Sequence, residues 1–597
     1  MDSSRSLCCI VVLILFGISI QYQSSASEID ENQTGLLLVN VSEGSAKEIP
    51  DTLFGIFFEE INHAGAGGLW AELVSNRDFE FGDSSVPSPW AIIGNNSSVI
   101  VSTDLSSCFD RNKVALRVEV LCDNTGANVC PDGGIGVYNP GFWGMNIEQG
   151  KSYQLVFYLR SDEPVNLSVA LTGSNGLTNL ATTPVLVANA SNWTKVMVTL
   201  EAEGTDPNSR LELRSTTKGV IWFDQVSLMP LDTYNGHGFR KDLFEMLQDL
   251  KPAFLRFPGG CFVEGAKLSN AFWWKETIGP WEERPGHFGD VWGYWTDDGL
   301  GHFEFLQLAE DLGALPVWVF NSGISHKEQV NTSNISPFVQ DVLEGLEFAR
   351  GASNSTWGSV RAEMGHPDSF DLRYVAVGNE DCEKKFPQYK GNYLKFHSAI
   401  KEAYPDIKII SNCDGSSKLL DHPADLYDFH IYASANDVFS NASRFMWTPD
   451  AIVFTSSQVY GTPSYWMQHF FKESNGATLI DSTLQDNNLS NSLIASSIKW
   501  RNETDDNDYI RIKVVNFGNN TVTLNISISG LENSLQPSGA TKTILTSSNV
   551  MDENAFTCPK KIIPVETMLD KVGENMDVVL LPYSITSIDL LTKSISI

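Results

Sequence analysis

The stretch YVAVGNEDCE, Tyr374 to Glu383, is a short apolar run that delivers an amide and a carboxyl group, Asn379 and Glu380, to its open end. A carboxyl in partly apolar surroundings has a raised pKa and can donate a proton to a leaving oxygen. The plainer reading is a glutamate that pairs with a lysine or caps a turn. Bond cleavage by a paired-carboxylate route also needs a second carboxylate facing the first, so Glu380 requires a partner. Asn379 can fix a ligand hydroxyl or merely tie down the next loop.

Other polar groups end apolar runs in the same way. Glu59 and Glu60 follow LFGIFF, residues 53–58. Neighbours on an extended chain face opposite ways, so one of the two is expected to point inward and the other to be solvated. Asn321 ends PVWVFNSG, while His430 and Tyr432 share one face of LYDFHIY. Each alone is compatible with an ordinary turn or core group; their common placement at strand ends is the stronger signal. In the loop after the strand AFLRFPGG, residues 253–260, lie Trp273, Trp274, Trp281, Trp292, Tyr294 and Trp295. Such rings either stack on apolar faces of a ligand or hold a long loop down as a small core.

The elements that would position these residues alternate. Leu243, Leu247 and Leu250 recur at helical spacing, followed by the strand AFLRFPGG, the helix HFEFLQLAEDLG and the strand PVWVFNSG. FVQDVLEGLEFARG precedes YVAVGNE, GNYLKFHSAIKEAY precedes IKIISNCD, and a short link reaches LYDFHIY. Helices alternating with nearly continuous apolar strands describe a parallel sheet covered on both faces. Polar residues cluster after the strands, the face that carries the chemistry in a (β/α)8 barrel. Counting LFGIFF, six strands are present by Tyr432, and beyond it only AIVFTS reads as a further strand before the helix PSYWMQHFF.

Two regions have another texture. From about Trp90 to Met229, period-two segments such as YQLVFYLRS and VNLSVALTG, separated by Gly, Asn and Ser, describe a β-sandwich inserted into the alternating region. From about Ser497, YIRIKVVNFG and TVTLNISISG open a C-terminal β domain. The expected division is a leader at 1–26, an N-terminal β segment with the first barrel strand at 27–85, the sandwich at 86–232, a (β/α) barrel at 233–480 and the β domain at 481–597.

Composition narrows the partners. With 73 acidic and 41 basic side chains in 597 residues, the formal charge is −32, which argues against nucleic acid or an anionic membrane surface. Leu7 to Ile20 is an apolar run preceded by Arg5 and followed by Ser24-Ser25-Ala26, a pattern expected of a secretory leader and short for a membrane span. Asn-x-Ser/Thr triplets, among them Asn32, Asn95, Asn166, Asn331 and Asn525, fit a secreted chain. Cys108, Cys122, Cys130, Cys261, Cys382, Cys413 and Cys558 are too sparse for a disulfide scaffold, but Cys122 and Cys130 bracket a polar loop and form the expected bridge. No Cys/His spacing suggests zinc, and neither a nucleotide-binding glycine pattern nor a G-x-S-x-G elbow occurs. No metal and no cofactor are expected.

The chain resembles plant-type α-L-arabinofuranosidases of glycoside hydrolase family 51. The resemblance runs through FGIFFEEINHAGAGGLWAELVSNR, LRFPGGCFVEG, IGPWEERPGHFGDVWGYW, AVGNEDC, YDFHIY, YGTPSYWMQ and RIKVVNFG. It implies a retaining hydrolase, without metal or organic cofactor, that removes terminal α-L-arabinofuranosyl groups from arabinoxylan, arabinan and related cell-wall glycans. A β-xylosidase side activity is left open. Carried over by residue, the resemblance makes Glu380 the general acid/base and Asn379 the amide beside it. Glu59 becomes a furanose-binding glutamate, and His430 and Tyr432 the pair lining the site near the nucleophile. Cys261 falls near the glycone, where bacterial relatives have Asn.

The nucleophile does not carry over. In the family it is a glutamate in a Ser-Glu-Tyr-like segment on strand seven, followed by strand eight and a Trp-x-Pro-Asp-Ala-Ile stretch. Here SNASRF, which resembles sequence just after strand six, runs directly into MWTPDAIVF, which resembles sequence after strand eight. The join falls near Phe445 and Met446, and no glutamate occurs between Glu402 and Glu473. Asp450 belongs to the Trp-x-Pro-Asp match. The expected barrel is therefore incomplete by strands seven and eight, as in a shortened product of, or a faulty coding model for, such a gene. A non-catalytic wall-glycan binder is the competing reading.

Overall fold

The computed structural model describes residues 33–592 except 43, 45, 83–85, 124–127, 417, 431–450, 486–491, 532–534, 537 and 570. The apolar leader, Tyr432, and the join at Phe445 and Met446 lie outside the described residues. Two compact units are present, one holding 55–447 with 454–458 and the other the chain up to 54, 448–453 and 459 onward.

The first unit contains the alternating region. Its six strands are β1 (Ile56–Phe57), β2 (Phe254–Phe257), β3 (Leu315–Phe320), β4 (Tyr374–Val377), β5 (Lys408–Ser411) and β6 (Leu426–Tyr427), all parallel and paired in chain order. Sequential parallel pairing with helical crossovers is the arrangement of a (β/α) barrel wall. The crossovers include α1 (Lys241–Asp249) before β2, α2 (His302–Asp311) before β3, α3 (Ser336–Arg350) and α4 (Thr356–Glu363) before β4, and α5 (Tyr389–Ala403) before β5.

Alternation along the strands separates the two faces. Val319 on β3 and Ala376 on β4 pack with Val263 and the half-buried Ile410 of β5 in one small cluster. Their neighbours turn to the helices: Trp318 lies against His302 of α2, ring centroids 4.8 Å apart, and Phe320 against Phe396 of α5 at 5.1 Å. Both faces of β3 and β4 are therefore buried, which is why these strands read as unbroken apolar runs. β6 differs, since Leu426 and Tyr427 are 47% and 45% exposed and Phe429 just beyond is 44% exposed.

The same unit holds the inserted sandwich. One sheet runs Asn179–Val187, Val165–Thr172, Asp206–Ser215, Ile135–Asn139 and Ala91–Ile93, and the other Thr194–Glu201, Ser152–Arg160, Gly219–Pro230, Ala115–Val120 and Val99–Asp104. Their inward residues, including Leu155, Phe157, Val169, Leu213 and Phe223, form one buried core. The Cys122–Cys130 bridge is present.

In the second unit, the strand Gln33–Asn40 pairs parallel with Val522–Ser529 and antiparallel with Thr478–Gln485. The strand at 33–40 and residues 459–480 thus belong to this unit, which differs from the expected boundaries at 85 and 480. Leu37 and Val39 supply two buried positions to its core beside Ile512, Leu524 and Ile588. The run AIVFTS gives Ile452–Phe454, which pairs with Val459–Gly461 in a separate two-stranded sheet and adds no strand to the barrel wall. Among the described residues no helix is long and apolar enough to cross a membrane.

Candidate active site

The open ends of the parallel strands gather a connected set of polar side chains. After β4 the chain leaves extended geometry at Gly378, where φ is +78° and a Cβ would fall 2.1 Å from Asp381 Oδ2. Glu380 itself has φ +51°, a left-handed conformation uncommon for a non-glycine residue and concentrated at functional sites. The turn is held from below. Ser322 Oγ donates to Asp381 Oδ2 at 2.7 Å, the Asp381 N–H donates to Asn412 Oδ1 at 2.6 Å, and Cys382 is disulfide-bonded to Cys413. Burial raises the Asp381 pKa well above the usual carboxylate range.

Glu380 Oε1 lies 3.0 Å from His430 Nδ1, and His430 Nε2 lies 3.0 Å from Asp428 Oδ1. Asp428 Oδ2 is paired with Arg256 of β2 at 3.2 Å, and the same guanidinium nitrogen donates to Asn379 Oδ1 at 3.0 Å. The result is a chain of alternating charge, Glu380, His430, Asp428, Arg256, closed on the amide beside Glu380. The hydrogen bond to Asp428, then that to Glu380, raises the His430 pKa to about 9, so the ring is an imidazolium at neutral pH. Burial works against the Asp428 carboxylate, but His430 and Arg256 together hold its pKa down to about 2.

On the opposite side Glu59 Oε1 accepts from the Cys261 backbone N–H at 2.9 Å and from Trp292 Nε1 at 3.1 Å. Gly260 makes this approach possible: its φ is +57°, and a Cβ there would fall 1.9 Å from the Glu59 carboxyl carbon. Burial raises the Glu59 pKa. Asn379 Nδ2 donates to Glu264 Oε1 at 3.3 Å.

The structure thus brings together Glu380, Asn379, His430, Glu59 and the loop of Cys261. Tyr432 lies outside the described residues. Two expectations change. Asn321 is spent on its own loop, accepting from the Gly323 and Ile324 N–H groups and donating to the Val263 and Ile324 carbonyls. It shapes the turn after β3 and has no hydrogen-bonding group left for a ligand. Glu60, expected to be solvated, is 5% exposed. Tyr294 Oη donates to it at 2.9 Å, and burial raises its pKa to about 8. Adjacent carboxylates do face opposite ways, but the inserted aromatic loop covers the outer one.

The aromatic loop divides between its two possible roles. Trp274 is buried and donates to the Asp341 carbonyl, Trp281 lies under Arg77, Trp273 donates to the Leu268 carbonyl, and Trp295 donates to Asp78. These rings anchor the loop. Trp292, 40% exposed and bonded to Glu59, is the one placed at the site.

Sequence reasoning missed Arg256, Asp428, Glu264, Asp381 and the Cys382–Cys413 bridge. A charged residue inside the apolar run FLRF was the available signal for Arg256. The bridge joins loops 31 residues apart, and only the strand order brings them side by side.

A parallel barrel wall whose strand ends carry Glu380 beside His430, with the further carboxyl groups of Glu59 and Asp428, is an arrangement suited to a glycoside hydrolase. Residues 246–449 match the family profile described as Alpha-L-arabinofuranosidase 1 domain, and residues 433–584 the Alpha-L-arabinofuranosidase C-terminal domain. Alpha-L-arabinofuranosidase 1 of Arabidopsis thaliana is 54% identical over 665 aligned positions, covering 99% of this chain and 96% of that one. Alpha-L-arabinofuranosidase 2 of the same plant is 54% identical, covering 98% and 95%. An arabinose-bound GH51 α-L-arabinofuranosidase has the same fold, with a TM-score of 0.83, 23% identity, and coverage of 94% of this chain and 100% of that one. The chain belongs to the α-L-arabinofuranosidase family of glycoside hydrolases.

Proposed function

We propose that the site is built for retaining hydrolysis of terminal α-L-arabinofuranosyl groups on cell-wall arabinoxylan or arabinan by a secreted protein, and that this chain lacks the nucleophile needed to complete it. Glu380 is the general acid, protonating the leaving oxygen and then acting as base toward water. Glu59, Asn379 and His430, with Tyr432, hold the furanose, and Cys261 lies beside it. His430 fixes Glu380 by hydrogen bond and charge.

A retaining site places its second carboxylate about 5 Å from the first. Among the described residues, the carboxyl groups of Asp428, Glu59 and Asp381 each serve other partners. Asp428 has one oxygen on His430 and the other on Arg256, Glu59 accepts two N–H donors, and Asp381 is sealed beneath the turn. The observation that carries the reading is the exposed flank of β6: Leu426, Tyr427 and Phe429 are the apolar side chains that further barrel strands and their helices would bury. Two facts support it. The 665 aligned positions against Arabidopsis thaliana Alpha-L-arabinofuranosidase 1 exceed the 597 residues here, so at least 68 positions of that relative have no counterpart. The two family matches also overlap at 433–449, around the join.

Arabinose release from an aryl α-L-arabinofuranoside tests this reading. Purified protein is expected to release arabinose at least about a thousandfold more slowly than an intact relative, as for loss of a nucleophile. Comparable turnover would overturn it. The complete core of the inserted sandwich favours retained glycan binding without cleavage. Retardation in gels containing arabinoxylan or arabinan is the expected result, and unchanged mobility would count against binding.

A further inference from the structure

We propose that Cys261, Glu264 and His326 form a binding site for one thiophilic divalent cation of the Zn2+ class. The three side chains come from the loops after β2 and β3. Each offers one donor atom, a sulfur, a carboxylate oxygen and an imidazole nitrogen, and the three atoms lie within 4.8 Å of one another. A tetrahedral Zn2+ centre, with bonds of roughly 2.0 to 2.3 Å, needs donors about 3.5 Å apart, so small side-chain rotations suffice. Mixed S, N and O donors are the set a borderline-soft cation selects over Mg2+ or Ca2+.

Glu264 supplies the independent observation. It is 2% exposed, and its Oε2 is buried with no hydrogen-bond partner. A carboxylate oxygen taken out of water without a partner is costly. Its other oxygen is served by two long contacts, Asn379 Nδ2 and His326 Nε2, each at 3.3 Å. The Cys261 thiol is outside either disulfide and half-buried. A bound cation would take the sulfur as a thiolate, displacing its proton.

The frame is fixed. The His326 N–H donates to the Gly265 carbonyl and the Lys327 N–H to the Ala266 carbonyl, each at 3.1 Å, locking one loop to the other. The His326 side chain is 39% exposed, which leaves the fourth coordination position open to water. A cation seated here would draw Glu264 away from Asn379, the neighbour of Glu380, and so couple metal to the furanose site.

Cobalt titration of the full, chelator-stripped chain tests the site, because only a coordinated cysteine gives thiolate-to-Co2+ charge-transfer absorption. One equivalent per chain is expected to produce that band, Zn2+ to displace it, and Cys261→Ser to abolish it. Cys108→Ser and Cys558→Ser should retain it. His326→Ala, at an exposed position that leaves the fold intact, should weaken Co2+ binding at least about tenfold. Absence of the band at saturating Co2+, its survival in Cys261→Ser, or unchanged affinity in His326→Ala would each overturn the assignment.

Discussion

β4 and β6 belong to the same parallel sheet, two strands apart, yet they have opposite surroundings. On β4, Val375, Ala376 and Val377 are buried, and the strand delivers Glu380 on a braced turn. On β6, Leu426 and Tyr427 are half exposed, and His430 just beyond it reaches back to Glu380. Among the described residues, one flank of the site is thus a buried barrel wall and the other a strand with exposed apolar side chains. A catalytic constellation drawn from several strand ends depends on closure of the whole sheet, and this is the ground on which the missing nucleophile is proposed.

The strongest way to break this contrast is to finish the second flank. Inserting into the join near Phe445 and Met446 a strand-seven and strand-eight segment with its Ser-Glu-Tyr-like glutamate is expected to raise arabinose release at least about a thousandfold. No gain would mean that the defect lies elsewhere. In that restored chain, Glu380→Gln should lower the rate about 10²- to 10⁴-fold, with the loss smallest for substrates whose leaving group needs no protonation. An equal loss for all leaving groups would remove the acid role.

The contrast also has a structural readout. Limited proteolysis of the chain as it stands should cut first around residues 415–430 and spare 370–380, because local opening follows sparse apolar burial. Simultaneous cleavage at both would erase the difference. Cys382→Ser with Cys413→Ser opens a loop of 31 residues that braces the Glu380 turn. By chain entropy this should cost about 3 to 4 kcal/mol, seen as a lower denaturant midpoint.

The smallest effect is electrostatic. The His430 pKa is raised in the fold, so its stabilising contribution is complete below its ordinary value near 6.5 and is lost as pH rises through about 9. Asp428, whose pKa is held at about 2, contributes above its ordinary value near 3.8 and loses that contribution as pH falls toward 2. Melting temperature between pH 6 and 10 should decline more steeply for the native chain than for His430→Asn. Parallel curves would detach His430 from the network.

Much of this was legible in the residues. The unbroken apolar runs at Tyr374–Val377 and Leu315–Phe320 reported two-sided burial, and the alternation in VNLSVALTG reported a sandwich. Glu380 and Asn379 were found because glycine and polar residues follow a strand. Pairing across distance was less accessible. Gln33–Asn40 reads as a strand, but nothing local assigns it to Val522–Ser529. Glu60 looked solvated because its cover, Tyr294, lies 234 residues away. Asn321 looked available because its four hydrogen bonds go to backbone groups whose positions only the folded loop fixes.

The proposal that this chain lacks the nucleophile of a retaining site is tested most directly by intact-protein mass spectrometry with an activated 2-fluoro-arabinofuranoside, which traps the covalent intermediate of such a site. The native chain is expected to show no added mass while the segment-restored chain gains one sugar. A stoichiometric adduct on the native chain would contradict the account.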